Sequence, residues 1–443
     1  MAISIRGRAS LAVVGVTALA VILAGCASTS GSGSSPAPTA TKAAGALAAA
    51  STCADGTDPS TTFKLGTFLP LTGSLASLGP AAVAGAGEAL SEIDAAGGVN
   101  GKPACTISTD SSDTTNPTVG NQSIQKLLSA KVSAILGAES SSVTENVLST
   151  VEASNTVMFS PANTDDALTG ISKWYFRDAP PNSVEGNALG KQIIANGAKN
   201  VGVLVFNDSY GTNLRDSIQK AIESSGGKVV YGATGAGQEF PATETTFGSE
   251  VSAVLATKPD AIVVDAFDQT AQILPALASA GWNLKNTYLV DGNLNDYTTT
   301  AGIPDMTGAQ GSTQGVNPSP SFKSTLVKWY AKNQNGAKLD YFGYAAESYD
   351  AVMIMALAAD QAKASDSTSI QAQILPITGS AGGTVCKTYS ACLALIKKGT
   401  KVHYEGPSGI GPLNAGHDPS SGYISIYQYV GKAPSKFLES VKG

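Results

Sequence analysis

The sequence predicts an α/β protein built of two lobes, each a doubly wound parallel sheet with helices on both faces. Three observations predict it. From Thr61 onward, short apolar strands alternate with amphipathic helices, the pattern of parallel sheets buried on both sides. The alternation stops at Pro180-Pro181 and then restarts. At 443 residues, the chain is also longer than the roughly 100–200 residues of a typical domain.

The elements follow in order. Phe63–Leu69 reads as a strand. Pro80–Ala95 reads as a helix with Ala86, Leu90 and Ile93 on one face, stopped by Gly97-Gly98. Cys105–Ser108 is a second strand, and Thr118–Leu128 a helix with Ile124, Leu127 and Leu128 as its apolar stripe. Val132–Leu136 is a strand, Val143–Ala153 a helix and Thr156–Phe159 a strand. After the proline pair come a helix over Ser183–Ile194, a buried strand over Val201–Phe206 and a helix over Thr212–Ser224. Ala261–Asp265 is a strand, Gln269–Ala280 a helix and Thr287–Val290 a strand. Open α/β sheets bind ligands at the carboxyl ends of their strands, so function is sought in the residues just after each strand.

The beginning of the chain carries an address. Arg6 and Arg8 precede an uncharged stretch, Ala9 to Ala24, that is short for a membrane span and fits a secretion signal. It ends in Leu23-Ala24-Gly25-Cys26, which resembles the bacterial lipobox. Residues 1–25 are therefore expected to be a lipoprotein signal peptide, and Cys26 the lipidated residue that anchors the protein to the outer face of the cell membrane. An ordinary signal peptide that happens to contain a cysteine is the alternative. Residues 26–60 are expected to be a flexible linker, because 27–51 are almost all Ala, Ser, Thr, Gly and Pro with Lys42 the only charge.

Composition excludes several function classes. Charged residues are only 14% against 42% hydrophobic, so the chain is globular. The formal charge is −6, no basic block stands out, and no nucleic acid is expected as a partner. His403 and His417 are the only histidines, which leaves little for a metal site or for histidine catalysis, and no cofactor or metal is expected. Besides Cys26, the cysteines are Cys53, Cys105, Cys386 and Cys392. Four extracytoplasmic cysteines allow three pairings. The short spacing favours Cys386–Cys392, and Cys53–Cys105 would pin the segment before the first strand to the second strand. Free buried thiols are the alternative.

Phe68-Leu69-Pro70-Leu71-Thr72-Gly73-Ser74-Leu75-Ala76-Ser77-Leu78-Gly79 resembles the first strand and loop of the leucine/isoleucine/valine-binding proteins. These are type I periplasmic binding proteins, the solute receptors of ABC importers. The resemblance continues in Gly97–Gly101, Ser140-Ser141-Ser142, Phe159–Thr164, Asn207–Gly211 and Tyr344–Ala351, in the family's order. It implies two lobes joined by three crossovers that close on a ligand. Lobe one would be residues 62–180 plus 309–421, and lobe two 181–308 plus 422–443, with Tyr423–Val430 as the third crossover.

The resemblance also implies a site. Ser141 and Ser142 stand between a strand and a helix, where free N–H groups suit a carboxylate. Ser141 matches the serine that binds the ligand carboxylate in the family. Ser142-Val143-Thr144-Glu145 equally fits a capping box in which Ser142 only caps its helix. Thr164 matches a second hydroxyl that contacts the ligand, with the backbone of Ala162 and Asn163 lining the same corner. Asp291, directly after a strand, matches the acid that pairs with the ligand ammonium, although it is one methylene shorter than in the leucine-binding proteins. Tyr210 matches a tyrosine that reaches across the cleft, Phe267 is the best candidate for an aromatic contact, and Leu78 stands where an aromatic residue is common.

The implied function is an extracytoplasmic, lipid-anchored solute-binding protein, expected to be a monomer, that delivers a branched-chain amino acid or a related solute to an ABC permease. Fold alone does not choose among amino acids, amides, urea-like compounds and aromatic acids. A sensor of the same fold is a second reading. A secreted hydrolase is a third, and neither histidine neighbours a nucleophile motif that would support it.

Overall fold

The computed structural model describes residues 52–442. The first sheet holds β1 (Lys64–Leu69), β2 (Cys105–Asp110), β3 (Ala134–Gly137), β4 (Val157–Ser160) and β5 (Tyr175–Arg177), ordered β2-β1-β3-β4-β5 and parallel throughout. The helices α1 (Gly79–Ala95), α2 (Pro117–Ser129) and α3 (Ser141–Ala153) connect its first four strands. Every residue of β1 is buried, as expected of a central strand covered on both faces.

The chain then crosses to a second sheet. It runs through α4 (Asn182–Ala195), β6 (Asn200–Val205), α5 (Ser209–Ser224), β7 (Lys228–Tyr231), α6 (Gly248–Ala256) and β8 (Ala261–Asp265). It continues into α7 (Thr270–Ser279), β9 (Thr287–Leu289) and β10 (Gln310–Gln314). It returns to the first sheet with α8 (Pro320–Asn333), α9 (Ala345–Ala362) and α10 (Ser367–Ile377), which pack on α1, β3 and β4. Here α9 is buried almost end to end. Gly85 permits the contact with α1, because a Cβ there would lie 2.0 Å from the Ala345 carbonyl oxygen. A small two-stranded sheet, β11 (Thr384–Cys386) with β12 (Val402–Tyr404), flanks α11 (Tyr389–Lys397). A third passage leads to β13 (Tyr423–Val430) and β14 (Ala433–Lys442). The second sheet is ordered β14-β13-β10-β9-β8-β6-β7, with β13 antiparallel to both of its neighbours.

The order of strand addition reverses at β1 in the first sheet, which has β2 on one side and β3 on the other. It reverses again beside β6, which lies between β7 and β8. Each sheet therefore has a switch point, where the loops leaving adjacent strands part and open a crevice.

Some boundaries differ from the sequence reading. Residues 310–314 were assigned to lobe one, yet β10 pairs with β9 and β13 inside the second sheet, so the second crossover falls after Gln314. The reason is strand pairing, since β10 lies between β9 and β13 and extends the second sheet. The sequence reading did not include β14, whose exposed residues and early Pro434 are those of an edge strand. The linker expected over 26–60 is tied down at its end. Thr52 bridges to Thr106, the Cys53 amide donates to the Thr106 carbonyl at 2.9 Å, and Cys53 is disulfide-bonded to Cys105. The signal peptide and Cys26 lie outside the described residues.

Both favoured cysteine pairs, Cys53–Cys105 and Cys386–Cys392, are joined. They close loops of very different length, with sequence separations of 52 and 6. By loop entropy the first is worth about 4 kcal/mol and the second about 2 kcal/mol. Urea unfolding of Cys53→Ser/Cys105→Ser is therefore expected to show the larger loss of stability of the two double variants. Equal losses would contradict the loop-length account.

Candidate functional site

The two switch points face one pocket. From the first sheet, Leu75 and Leu78 follow β1, Glu139, Ser140 and Ser141 follow β3, and Ala162 follows β4. From the second, Tyr210 follows β6, Phe267 follows β8, and Asp291 and Gly292 follow β9. Tyr344, just before α9, completes it. The room between these walls is about 10 Å³, on the order of one water molecule.

The first-sheet side is organised by short polar side chains. Ser140, not Ser142, caps α3, accepting from the Val143 amide at 3.3 Å. The expected capping box is therefore absent, because the helix begins at Ser141 and the residue three after the Ser140 cap is Val143. Ser141 Oγ accepts from the amides of Thr164 and Asp165, both at 3.3 Å. Ser160 Oγ donates to the Ala138 carbonyl at 2.6 Å and accepts from the amides of Ala162 and Asn163 at 3.2 and 2.9 Å. Beneath this loop the buried Arg177 pairs with Asp418 at 2.7 Å and donates through Nη1 to the Asp165 carbonyl at 2.7 Å. The loop after β4 is therefore held from both ends.

The second-sheet side centres on Asp291. Its carboxylate accepts from the hydroxyls of Tyr210 and Tyr344 and from the Gly292 amide at 2.9 Å. Burial raises its pKa, and the hydrogen bonds from Tyr210 and Tyr344 oppose the rise. Glu185 lies behind it, accepting from the Asp291 amide at 3.1 Å, Ser312 Oγ at 2.6 Å and Gln314 Nε2 at 2.9 Å. Burial first, and then the Asp291 charge, push Glu185 well above the usual carboxylate range. Tyr210 stacks on Phe267 at 5.4 Å between ring centres, and Phe206 braces Phe267 edge-on at 4.8 Å.

Five of the residues expected from the sequence, Ser141, Ala162, Tyr210, Phe267 and Asp291, therefore line this pocket. Three do not. Ser142 points across the cleft, donating to Asp208 Oδ1 at 2.8 Å and meeting Ser209 Oγ at 2.9 Å. Thr114 Oγ1 reaches the other oxygen of Asp208 at 2.9 Å, so this acid latches the two lobes together while capping α5. Asn163 Oδ1 accepts from Thr144 and Tyr175 at 2.7 and 3.1 Å. Thr164 is fully buried beside the site, and its hydroxyl has no partner. The sequence reading missed Glu139 and Tyr344. The signal for Glu139 was its place just after a strand, and Tyr344 opened a motif read only as a helix. Neither histidine is at the pocket: His403 lies in β12, and His417 stacks on Phe176 at 4.2 Å.

Two switch-point crevices closed on each other, one offering a helix N-terminus and the other a carboxylate, make a site for a small solute between two lobes. The chain belongs to the periplasmic binding protein family, whose model matches residues 62–409. In Pseudomonas aeruginosa, a leucine-, isoleucine-, valine-, threonine- and alanine-binding protein is 29% identical over 171 residues, 38% of this chain and 45% of that protein. The match thus spans less than half of that relative. An amino acid binding protein of the same organism is 27% identical over 315 residues, 68% of this chain and 79% of the other. Among solved structures, the substrate-binding protein of a branched-chain amino acid transporter from Streptococcus pneumoniae, in complex with isoleucine, shares the fold. Its TM-score is 0.67 at 22% identity, covering 86% of this chain and all of that one. The family and the fold are those of solute-binding proteins. The family implies an extracytoplasmic location, and among the described residues no helix is long and apolar enough to cross a membrane.

Glu139 gives a pH signature. Burial pushes its carboxyl from 4.5 up to about 8. Below the lower value the folded and unfolded chains are both protonated there. As pH rises above it the unfolded chain sheds the proton first, so stability falls until about pH 8. Without added solute, wild type is expected to lose on the order of 3 kcal/mol more than Glu139→Gln between pH 5 and pH 8. Urea midpoints at the two pH values measure this, and parallel curves would contradict it.

Proposed function

We propose that this protein captures an amino-acid-like solute between its two lobes and presents it to an ABC permease, binding it without chemical change. The carboxylate of the solute sits at the N-terminus of α3 beside Ser141, where free amides and the helix dipole favour an anion. Its ammonium sits at Asp291. The observation that carries this reading is that Ser141 and Asp291 face one pocket from opposite sheets, so only a solute with both groups engages both lobes. The family membership and the amino-acid-binding relatives support it.

Closure follows from differential contacts, since a solute that touches both lobes stabilises the state in which they meet. The hydrogen bonds of Ser142 and Thr114 to Asp208 join the lobes at the rim of the same state. We read the protein as a monomer held at the outer face of the cell membrane by a lipid on Cys26. Mass spectrometry of the membrane-extracted protein, showing a diacylated N-terminal cysteine, checks the anchor.

Substitutions of Asp291 and Ser142 make different predictions. Asp291→Asn is expected to weaken amine-bearing solutes on the order of tenfold to a hundredfold, because a hydrogen bond to a charged group is worth about 1.5–3 kcal/mol. Ser142→Ala is expected to weaken every solute by about fivefold, because it removes one lobe-to-lobe hydrogen bond worth about 1 kcal/mol. Calorimetric titration with an amino acid panel measures both. Equal small losses would place Asp291 outside the binding contact.

A further inference from the structure

Glu139 is the one carboxyl of the pocket that the protein leaves unserved. It stands between the end of β3 and the cap of α3, is 3% exposed, and lines the pocket. Neither of its carboxyl oxygens has a hydrogen-bond partner. Buried polar groups are paired as a rule, so each oxygen left alone in a binding pocket marks a place where a donor belongs. Asp291, across the same pocket, has Tyr210, Tyr344 and the Gly292 amide. The neighbouring hydroxyls of Ser140 and Ser141 accept from backbone amides, and neither donates to Glu139. None of the residues lining the pocket is a lysine or an arginine.

Part of the same pocket's wall is apolar. Leu75 and Leu78 are buried, at 1% and 2% exposure, and belong to the same pocket. A pocket that combines apolar side chains with an unpaired acid complements an aliphatic stem that ends in a cation. We infer that the solute carries, besides its amino-acid head, a second cationic donor group on an aliphatic stem, an ammonium or guanidinium that pairs with Glu139. The cleft then selects basic amino acids over branched-chain ones. This rests on the reading of the cleft as an amino-acid site.

Burial alone raises the Glu139 carboxyl, with no cation of the protein to offset it; the arriving cation supplies that offset. The pairing is a charge-assisted hydrogen bond in a site closed to water. Selectivity comes from the penalty for its absence. An analogue with the same stem and no donor leaves the acid buried and alone, and sites of that kind reject such analogues strongly.

The test uses the full-length chain, freed of bound solute by unfolding and refolding, and titrated calorimetrically with matched pairs. Lysine is set against norleucine and ornithine against norvaline, with arginine, leucine, isoleucine and valine alongside. Wild type is expected to bind at least one basic member tenfold or more tighter than its partner lacking the donor. Glu139→Gln is expected to reduce that preference to under threefold, and Glu139→Leu to reverse it. Because the matched pairs are read in wild type, the comparison stands even if a variant folds poorly. Branched-chain amino acids or norleucine binding wild type as tightly as lysine would overturn the inference and leave the amino-acid site intact. Wild type binding no amino acid at all would overturn both.

Discussion

The structure turns on one buried carboxylate. Taking Asp291 out of water costs several kcal/mol unless donors surround it, and the donors it has come from distant parts of the chain. Tyr210 arrives on α5, beside β6. Tyr344 arrives from the segment that leads into α9, a helix that packs over the first sheet on α1. Satisfying a single acid after β9 therefore joins the helices of both lobes. Glu185 behind it extends the network to Ser312 and Gln314 of β10, the last strand before the chain returns to the first sheet. The acid that the proposed function gives to the solute ammonium is thus also the point where lobe position is registered.

The opposite wall is built on another economy. Ser140, Ser141 and Ser160 spend their hydroxyls on backbone amides and carbonyls of the loops after β3 and β4. Arg177 locks the second of these loops from below through its carbonyls. A helix N-terminus held this rigidly binds an anion without first having to be ordered, and a preorganised site retains more of its interaction energy as affinity. Between the two walls lie Leu75, Leu78 and the unpaired Glu139, where one acidic amino acid would alter which solute is retained without altering how the lobes close.

Much of this was legible in the sequence, for identifiable reasons. Strands such as β8 and the Val201–Val205 part of β6 were readable because buried parallel strands are short apolar runs. Ser141 and Asp291 were picked out by the family resemblance, and both stand in the segments after strands, where open sheets place their sites. Tertiary pairing hid the rest. β10, Gln-Gly-Ser-Thr-Gln, has no apolar side chain, and only its partners β9 and β13 make it a strand. Ser142 looked like a helix cap in its own segment, but its partner Asp208 is 66 residues away. Glu139 was not singled out, because nothing in its own segment shows that it is buried at the pocket. Local pattern thus identified the strand ends, while burial decided which neighbours of those ends face the pocket.

The central claim is that one solute bridges the two sheets, from the N-terminus of α3 to Asp291. The most direct measurement is a crystal structure of the protein with its solute bound. The account predicts a single molecule between the lobes, its carboxylate against the amides that open α3 and its ammonium within hydrogen-bonding distance of Asp291. A solute lying elsewhere, or one touching only a single lobe, would contradict it.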